Sequence, residues 1–83
     1  MNPIKLAITR IIAEQAEIDT ASLDDHQPFS TAGVDSLEML EIVTAVEDAF
    51  DVRFEEAVLD NMNTLADLVQ AVEDALQARQ SAA

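Results

Sequence analysis

Aliphatic side chains return at every third or fourth position over three stretches of the chain, the spacing of one face of an α-helix. Ile4, Ile8, Ile11 and Ile12 mark the first. Asn2-Pro3 ahead of them reads as an N-cap with proline in the first turn, so a helix is expected from Pro3 to about Ala16. Met39, Ile42, Val43, Val46 and Phe50 mark the second, expected to open near Asp35 and run to about Phe50. Leu65, Leu68, Val69, Val72 and Leu76 mark the last. Asp35 with Glu38, and Thr64 with Asp67, stand three apart just where an apolar run begins, as a reciprocal helix cap requires. Between the second and last stripes, "DVRFEEAVLDNMN" carries one short helical stretch around Glu55–Asp60. No convincing strand appears. The expected fold is all-α: a small four-helix bundle of three main helices and one short one, with a long first loop.

That loop covers residues 17–34. Ile18, Leu23 and Phe29 are its apolar anchors, and Pro28 bars a continuous helix. Connections this long in a small domain are often functional. Residues 1–83 read as a single domain, with a tail from about residue 78 ("ARQSAA") expected to be disordered.

Composition narrows the function. A hydrophobic fraction of 49% supports folding, and with three Phe as the only aromatics the core is aliphatic. Only Lys5, Arg10, Arg53 and Arg79 oppose 17 acids, for a net charge of −13. Such a field repels nucleic-acid phosphate and anionic lipid and attracts basic protein surfaces. The chain has no cysteine, hence no disulfide, thiol nucleophile or thiolate metal site. No apolar run spans a bilayer, no cleavable leader pattern is visible at the start, and no calcium-loop motif is present. A monomeric cytoplasmic protein without nucleic acid, membrane or metal is expected.

The only glycine, Gly33, precedes Asp35-Ser36. It permits a positive φ at the turn into the second helix. With Asp35 as N-cap, Ser36 falls on the first helical position. Its hydroxyl is free of capping duty and faces the unpaired N–H groups and positive end of the helix dipole, a favourable place for a phosphate ester. Capping patterns are common, so the pattern alone leaves open that Ser36 is an ordinary first-turn serine. A hydrolase nucleophile is excluded on stronger grounds. "GVDSLE" lacks the second glycine of a nucleophile elbow, and His26, the only histidine, lies in the loop with no oxyanion arrangement in sight.

At about 100° per residue, Ser36, Leu37, Leu40, Glu41, Thr44, Glu47 and Asp48 lie opposite the core stripe of the second helix. Leucines ringed by carboxylates suit a docking surface with an apolar centre and a charged rim. The alternative is that the long loop covers them, Leu37 first because it stands nearest.

"GVDSLEMLEIVTAVEDAFDVRF" closely resembles the acyl carrier proteins, whose signature is Asp-Ser-Leu at the start of an acidic second helix. The likeness continues through "IIAEQ", Phe29, "EDAFDV" and "NTLADLVQAVEDAL". It implies that a phosphopantetheinyl transferase, using coenzyme A, attaches 4′-phosphopantetheine to Ser36, flanked by Asp35 and Leu37. The arm would carry acyl groups as thioesters, and the protein would have no catalytic activity of its own. The likeness further implies that Leu37, Glu38, Leu40, Glu41, Thr44, Glu47 and Asp48 meet basic patches on partners. Those partners would be an acyl- or aminoacyl-loading enzyme, an acyltransferase or a ketosynthase. An apolar cargo would insert among Ile42, Val46, Leu59, Met62, Leu68 and Val72. Thr31 and Ala32 replace the acid and leucine that often precede the signature glycine, and Thr44 replaces a methionine frequent in fatty-acid carriers. The implied pathway is therefore polyketide or other specialised biosynthesis, or fatty-acid synthesis. An aminoacyl or peptidyl carrier is an alternative, and an unmodified acidic interaction module is an alternative of another class.

Overall fold

The computed structural model describes residues 2–81. Four helices follow one another: α1 (Pro3–Ala16), α2 (Ser36–Phe50), α3 (Glu56–Asp60) and α4 (Leu65–Ser81). Two short 3₁₀ turns, Thr20–Ser22 and Phe29–Ala32, interrupt the first connection. No strand occurs among the described residues, and no helix there is long and apolar enough to cross a membrane.

The ends of the helices follow from local chemistry. Asn2 Oδ1 accepts the N–H groups of Ile4 and Lys5 at 3.0 and 3.3 Å, and Pro3 fills the first position, where a missing N–H costs nothing. The helix stops at Glu17, which turns left-handed (φ 55°) and donates its N–H to Ala13. At the start of α4, Thr64 Oγ1 accepts the Asp67 N–H at 3.1 Å while Asp67 Oδ2 accepts the Thr64 N–H at 3.2 Å. This is the second reciprocal cap that the spacing predicts.

One residue pair from each long helix forms the centre of the core. Ile8 and Ile12 of α1, Ile42 and Val46 of α2, and Leu68 and Val72 of α4 are completely buried. Helix α1 packs against both α2 and α4. Burial of each such side chain stabilises the fold by roughly 1.5–3 kcal/mol.

The long connection is not slack. Phe29 and Val34 are buried, and Ile18 and Leu23 pack on the core edge. The Phe29 N–H donates to the Asn63 carbonyl at 2.8 Å. Asp25 ties two helices to the loop. Its carboxylate pairs with Lys5 of α1 at 2.8 Å, and its carbonyl accepts the Ala66 N–H in the first turn of α4 at 2.9 Å. The loop is thus pinned at its middle and at its end, and the end leads directly into α2.

At the other terminus, helix α4 continues through Ser81 where a disordered tail was expected from about residue 78. Arg79 accounts for the extension. Its guanidinium donates to the carbonyls of Phe50 and Asp51, at 3.3 and 2.9 Å, and so ties the end of α4 to the end of α2. The last part of the expected tail, residues 82–83, lies outside the described residues.

Candidate functional site

Helix α2 starts where the sequence places it. Asp35 is the N-cap, and the cap is reciprocal: Asp35 Oδ1 accepts the Glu38 N–H at 2.8 Å, and Glu38 Oε1 accepts the Asp35 N–H at 3.1 Å. Gly33 enters this turn at φ 92°, a left-handed conformation that side chains disfavour. A Cβ at Gly33 would meet nothing within 4 Å, so glycine is needed there for its backbone and not for space. Val34, next along, is buried and fixes the direction of entry.

These constraints place Ser36 at the first position of α2, exposed to solvent. Its hydroxyl has no hydrogen-bond partner among the described residues. Beside it runs an open groove of about 780 Å³ between the start of α2, the 3₁₀ turn and α3. Met39, Leu40, Val43, Leu59 and Met62 make its apolar wall, and Asp35, Ser36 and Asn63 lie at its polar rim. The signal for this groove in the sequence was faint. Leu59 was legible as an apolar position, but Asn63 and Met39 join the groove only through the fold.

The interior expected among Ile42, Val46, Leu59, Met62, Leu68 and Val72 is closed. Ile42, Val46, Leu68 and Val72 have no exposed surface, because Ile8 and Ile12 of α1 fill the space between them. Only Leu59 (38% exposed) and Met62 reach the groove. The accessible apolar surface is therefore a trough beside Ser36 and not a cavity behind it.

The outward face of α2 follows the helical wheel. Leu37 and Leu40 are 64% and 62% exposed, while Glu41, Thr44 and Asp48 stand around and below them, also exposed. The alternative in which the loop covers Leu37 does not hold: Leu37 stays exposed, as the helical wheel places it. The loop packs inward through Phe29 toward Asn63, and so leaves the outer side of the first turn bare. Thr44 turns its hydroxyl back onto the Leu40 carbonyl at 2.8 Å.

The acids on this face are not equivalent. Glu41 and Asp48 are free at the surface. Glu38 is engaged in the cap. Glu47 is half-buried, and its Oε2 accepts the Phe54 N–H at 2.9 Å, seven residues on. Glu47 thereby holds the connection to α3, a role its spacing does not reveal because the chain reverses at Asp51 (φ 53°) in between. His26 lies exposed in the loop, its N–H bonded to Asp24, and takes no part in this site.

A site of this shape presents one unengaged hydroxyl at a helix N-terminus, above an apolar trough and beside an acidic helical face. Comparison with known proteins agrees with it. Residues 7–72 match the family described as the phosphopantetheine attachment site. The chain is 39% identical over 80 residues to acyl carrier protein 3 of Ralstonia nicotianae, across 94% of this chain and 92% of that one. It is 32% identical over 76 residues to the chloroplastic acyl carrier protein 4 of Arabidopsis thaliana, across 90% of this chain and 56% of that one. Its fold matches the crystal structure of an acyl carrier protein from Thermotoga maritima with a TM-score of 0.79 at 22% identity, over 93% of this chain and 95% of that one. The chain belongs to the acyl carrier protein family, carriers of acyl groups on 4′-phosphopantetheine.

Proposed function

We propose that Ser36 is the residue to which the arm is attached, and that the outer face of α2 delivers the arm to partner enzymes. The single observation that carries this is the setting of Ser36: an exposed hydroxyl without a partner, at the first position of a firmly capped helix. When attached, 4′-phosphopantetheine supplies a terminal thiol on which acyl groups ride as thioesters. The residues around Ser36 suit the group. The first-turn N–H groups and the helix dipole favour a phosphate there. The Asp35 and Glu38 carboxylates, which would oppose a second anion, are turned to backbone N–H groups in the cap. The trough from Met39 to Met62 offers an apolar surface within reach of the attachment point.

Delivery rests on Leu40 and the acids around it. Asp48 and Glu41 steer a basic patch toward α2, and Leu37 and Leu40 provide a small apolar contact once it arrives. The partners on this reading are the transferase that loads the arm and synthase enzymes such as a ketosynthase or acyltransferase. On this reading the protein is a carrier without catalysis of its own: the Asp35 carboxylate next to Ser36 is engaged by the Glu38 N–H in the cap, and His26 lies away in the loop. The charge of −13 opposes self-association, which supports a monomer. Thr31, Ala32 and Thr44 depart from the pattern of fatty-acid carriers, so a carrier of polyketide, other specialised or aminoacyl biosynthesis is at least as well supported as one of primary fatty-acid synthesis.

The test is loading in vitro. The apo protein, coenzyme A and a promiscuous phosphopantetheinyl transferase should give a single addition. Ser36→Ala should give none while keeping its helical circular dichroism. Addition to the alanine variant at any other serine refutes the assignment.

A further inference from the structure

The acidic face of α2 ends in positive charge. Beyond Thr44, Glu47 and Asp48 it opens into a groove of about 720 Å³ whose opposite side is formed by Val52, Arg53, Ala75, Ala78 and Arg79. Two of the chain's four cations therefore stand at one end of the docking face. They stand there in different ways. Arg79 is held by the carbonyls of Phe50 and Asp51. Arg53 forms no ion pair or hydrogen bond among the described residues, although Asp51 and Glu55 lie two positions away on either side.

The backbone explains why Arg53 stays free. Residues 52–55 run without helix between α2 and α3. Val52 is buried, and Phe54 is half-buried with its N–H on Glu47. With both neighbours fixed inward, the residue between them is turned outward. Of the nearby carboxylates, Glu47 is engaged by the Phe54 N–H and Asp51 stands 3.7 Å from Arg79, while Asp48, on the same groove, is exposed and makes no pair with Arg53. The fold displays one unpaired guanidinium beside a field of acids, with alanines leaving room in front of it.

We infer that Arg53 is a specificity determinant of the docking face, and that it selects a partner enzyme whose basic patch carries a carboxylate at its edge. The inference rests on the α2 face being the docking surface. A uniformly basic patch would bring its own cations against Arg53 and Arg79, an unfavourable juxtaposition. A patch that ends in Asp or Glu meets Arg53 with opposite charge and can pair with it bidentately. The same end of the face then sets the register of docking along α2, because the partner's acid and its bases cannot exchange places.

Charge reversal at Arg53 gives a test in which the two readings differ in sign. Arg53→Glu makes the protein more negative. If only the overall field mattered, every basic partner would bind it more tightly. If Arg53 pairs with a partner carboxylate, the cognate enzyme binds it less tightly. The probes are an oligolysine peptide and the ketosynthase of the same host, each measured against the holo protein at two salt concentrations. The peptide should bind Arg53→Glu more tightly than wild type. The ketosynthase should bind it roughly tenfold more weakly, with Arg53→Gln between the two. Reversal of the matching ketosynthase carboxylate to Lys should restore binding to Arg53→Glu. Ketosynthase binding that is unchanged or tighter overturns the inference. Failure of the wild type to load would instead fault the assignment of Ser36.

Discussion

Helices α2 and α3 flank the same groove but are built in opposite ways. Helix α2 is fifteen residues long, reciprocally capped at its start, and buries Ile42, Val43 and Val46. Its end is closed by a left-handed Asp51 and by the Arg79 guanidinium. Helix α3 has five residues, no side-chain cap from Glu55, and no buried residue. Val58 and Leu59 remain more than a third exposed. One wall of the groove is thus a fixed platform and the other a light flap, held mainly by the segments on either side of it. Local stability follows buried apolar contact, so α3 should open far more readily than α2. The division suits a carrier. On the proposed function, Ser36 and the outward acids sit on the rigid element, and the apolar groove beside Ser36 is walled on one side by the one that yields.

The largest effect should come from emptying the platform. Ile42→Ala removes a completely buried side chain and should cost about 2–5 kcal/mol, a large part of the stability of so small a domain. Leu59→Ala on α3 should cost less than about 1.5 kcal/mol, because that side chain is already partly in water. Urea unfolding of the two variants measures the contrast directly. Equal costs would show that α3 is packed as firmly as α2.

Removing the strap between the helices should cost less. Glu47→Ala takes away the carboxylate that accepts the Phe54 N–H, and a hydrogen bond to a charged group contributes about 1.5–3 kcal/mol. The effect should be local. Amide exchange should speed up over residues 52–60 and stay slow at Ile42 and Val46. Glu47→Gln keeps an acceptor oxygen and should recover part of the protection. Uniform acceleration over the whole chain would mean that the two helices unfold as one unit.

The caps give the smallest and sharpest contrast. Asp35→Ala should cost about 0.5–2 kcal/mol and fray the first turn of α2, with slower loading at Ser36. Glu55→Ser supplies α3 with the cap residue it lacks, and should stabilise the chain by up to about 1 kcal/mol while slowing amide exchange in α3. If Glu55→Ser leaves exchange in α3 unchanged, the looseness of α3 has a cause other than its missing cap.

Much of the platform was legible in the sequence and little of the flap's attachment was. Periodicity located α1 and α2, and Asp35-x-x-Glu38 located the first turn and hence the place of Ser36. These are local signals, carried by residues within one or two turns of each other. The two 3₁₀ turns were missed because three or four residues give no periodicity, and Pro28 alone only signals a break. The outward direction of Leu37 was legible from the helical wheel, but whether the loop would cover it was not, because Phe29 decides the path of the loop by packing inward. Glu47 was legible as an outward acid, yet its bond to Phe54 depends on a chain reversal at Asp51, where nothing as telling as a glycine marks the turn. Arg79 was assigned to a frayed tail because its partners are carbonyls near residue 50. Long-range backbone contacts of this kind leave no pattern along the chain.

The central claim, that the first turn of α2 exists to present Ser36 for the arm, has one most direct test. The protein is isolated from its own host, digested under conditions that preserve phosphodiesters, and the peptide spanning Gly33–Leu40 is sequenced by mass spectrometry. The account predicts 4′-phosphopantetheine on Ser36, with or without an acyl group on its thiol. An unmodified Ser36 in protein taken from actively growing cells, or the same group found on a different serine, would contradict it.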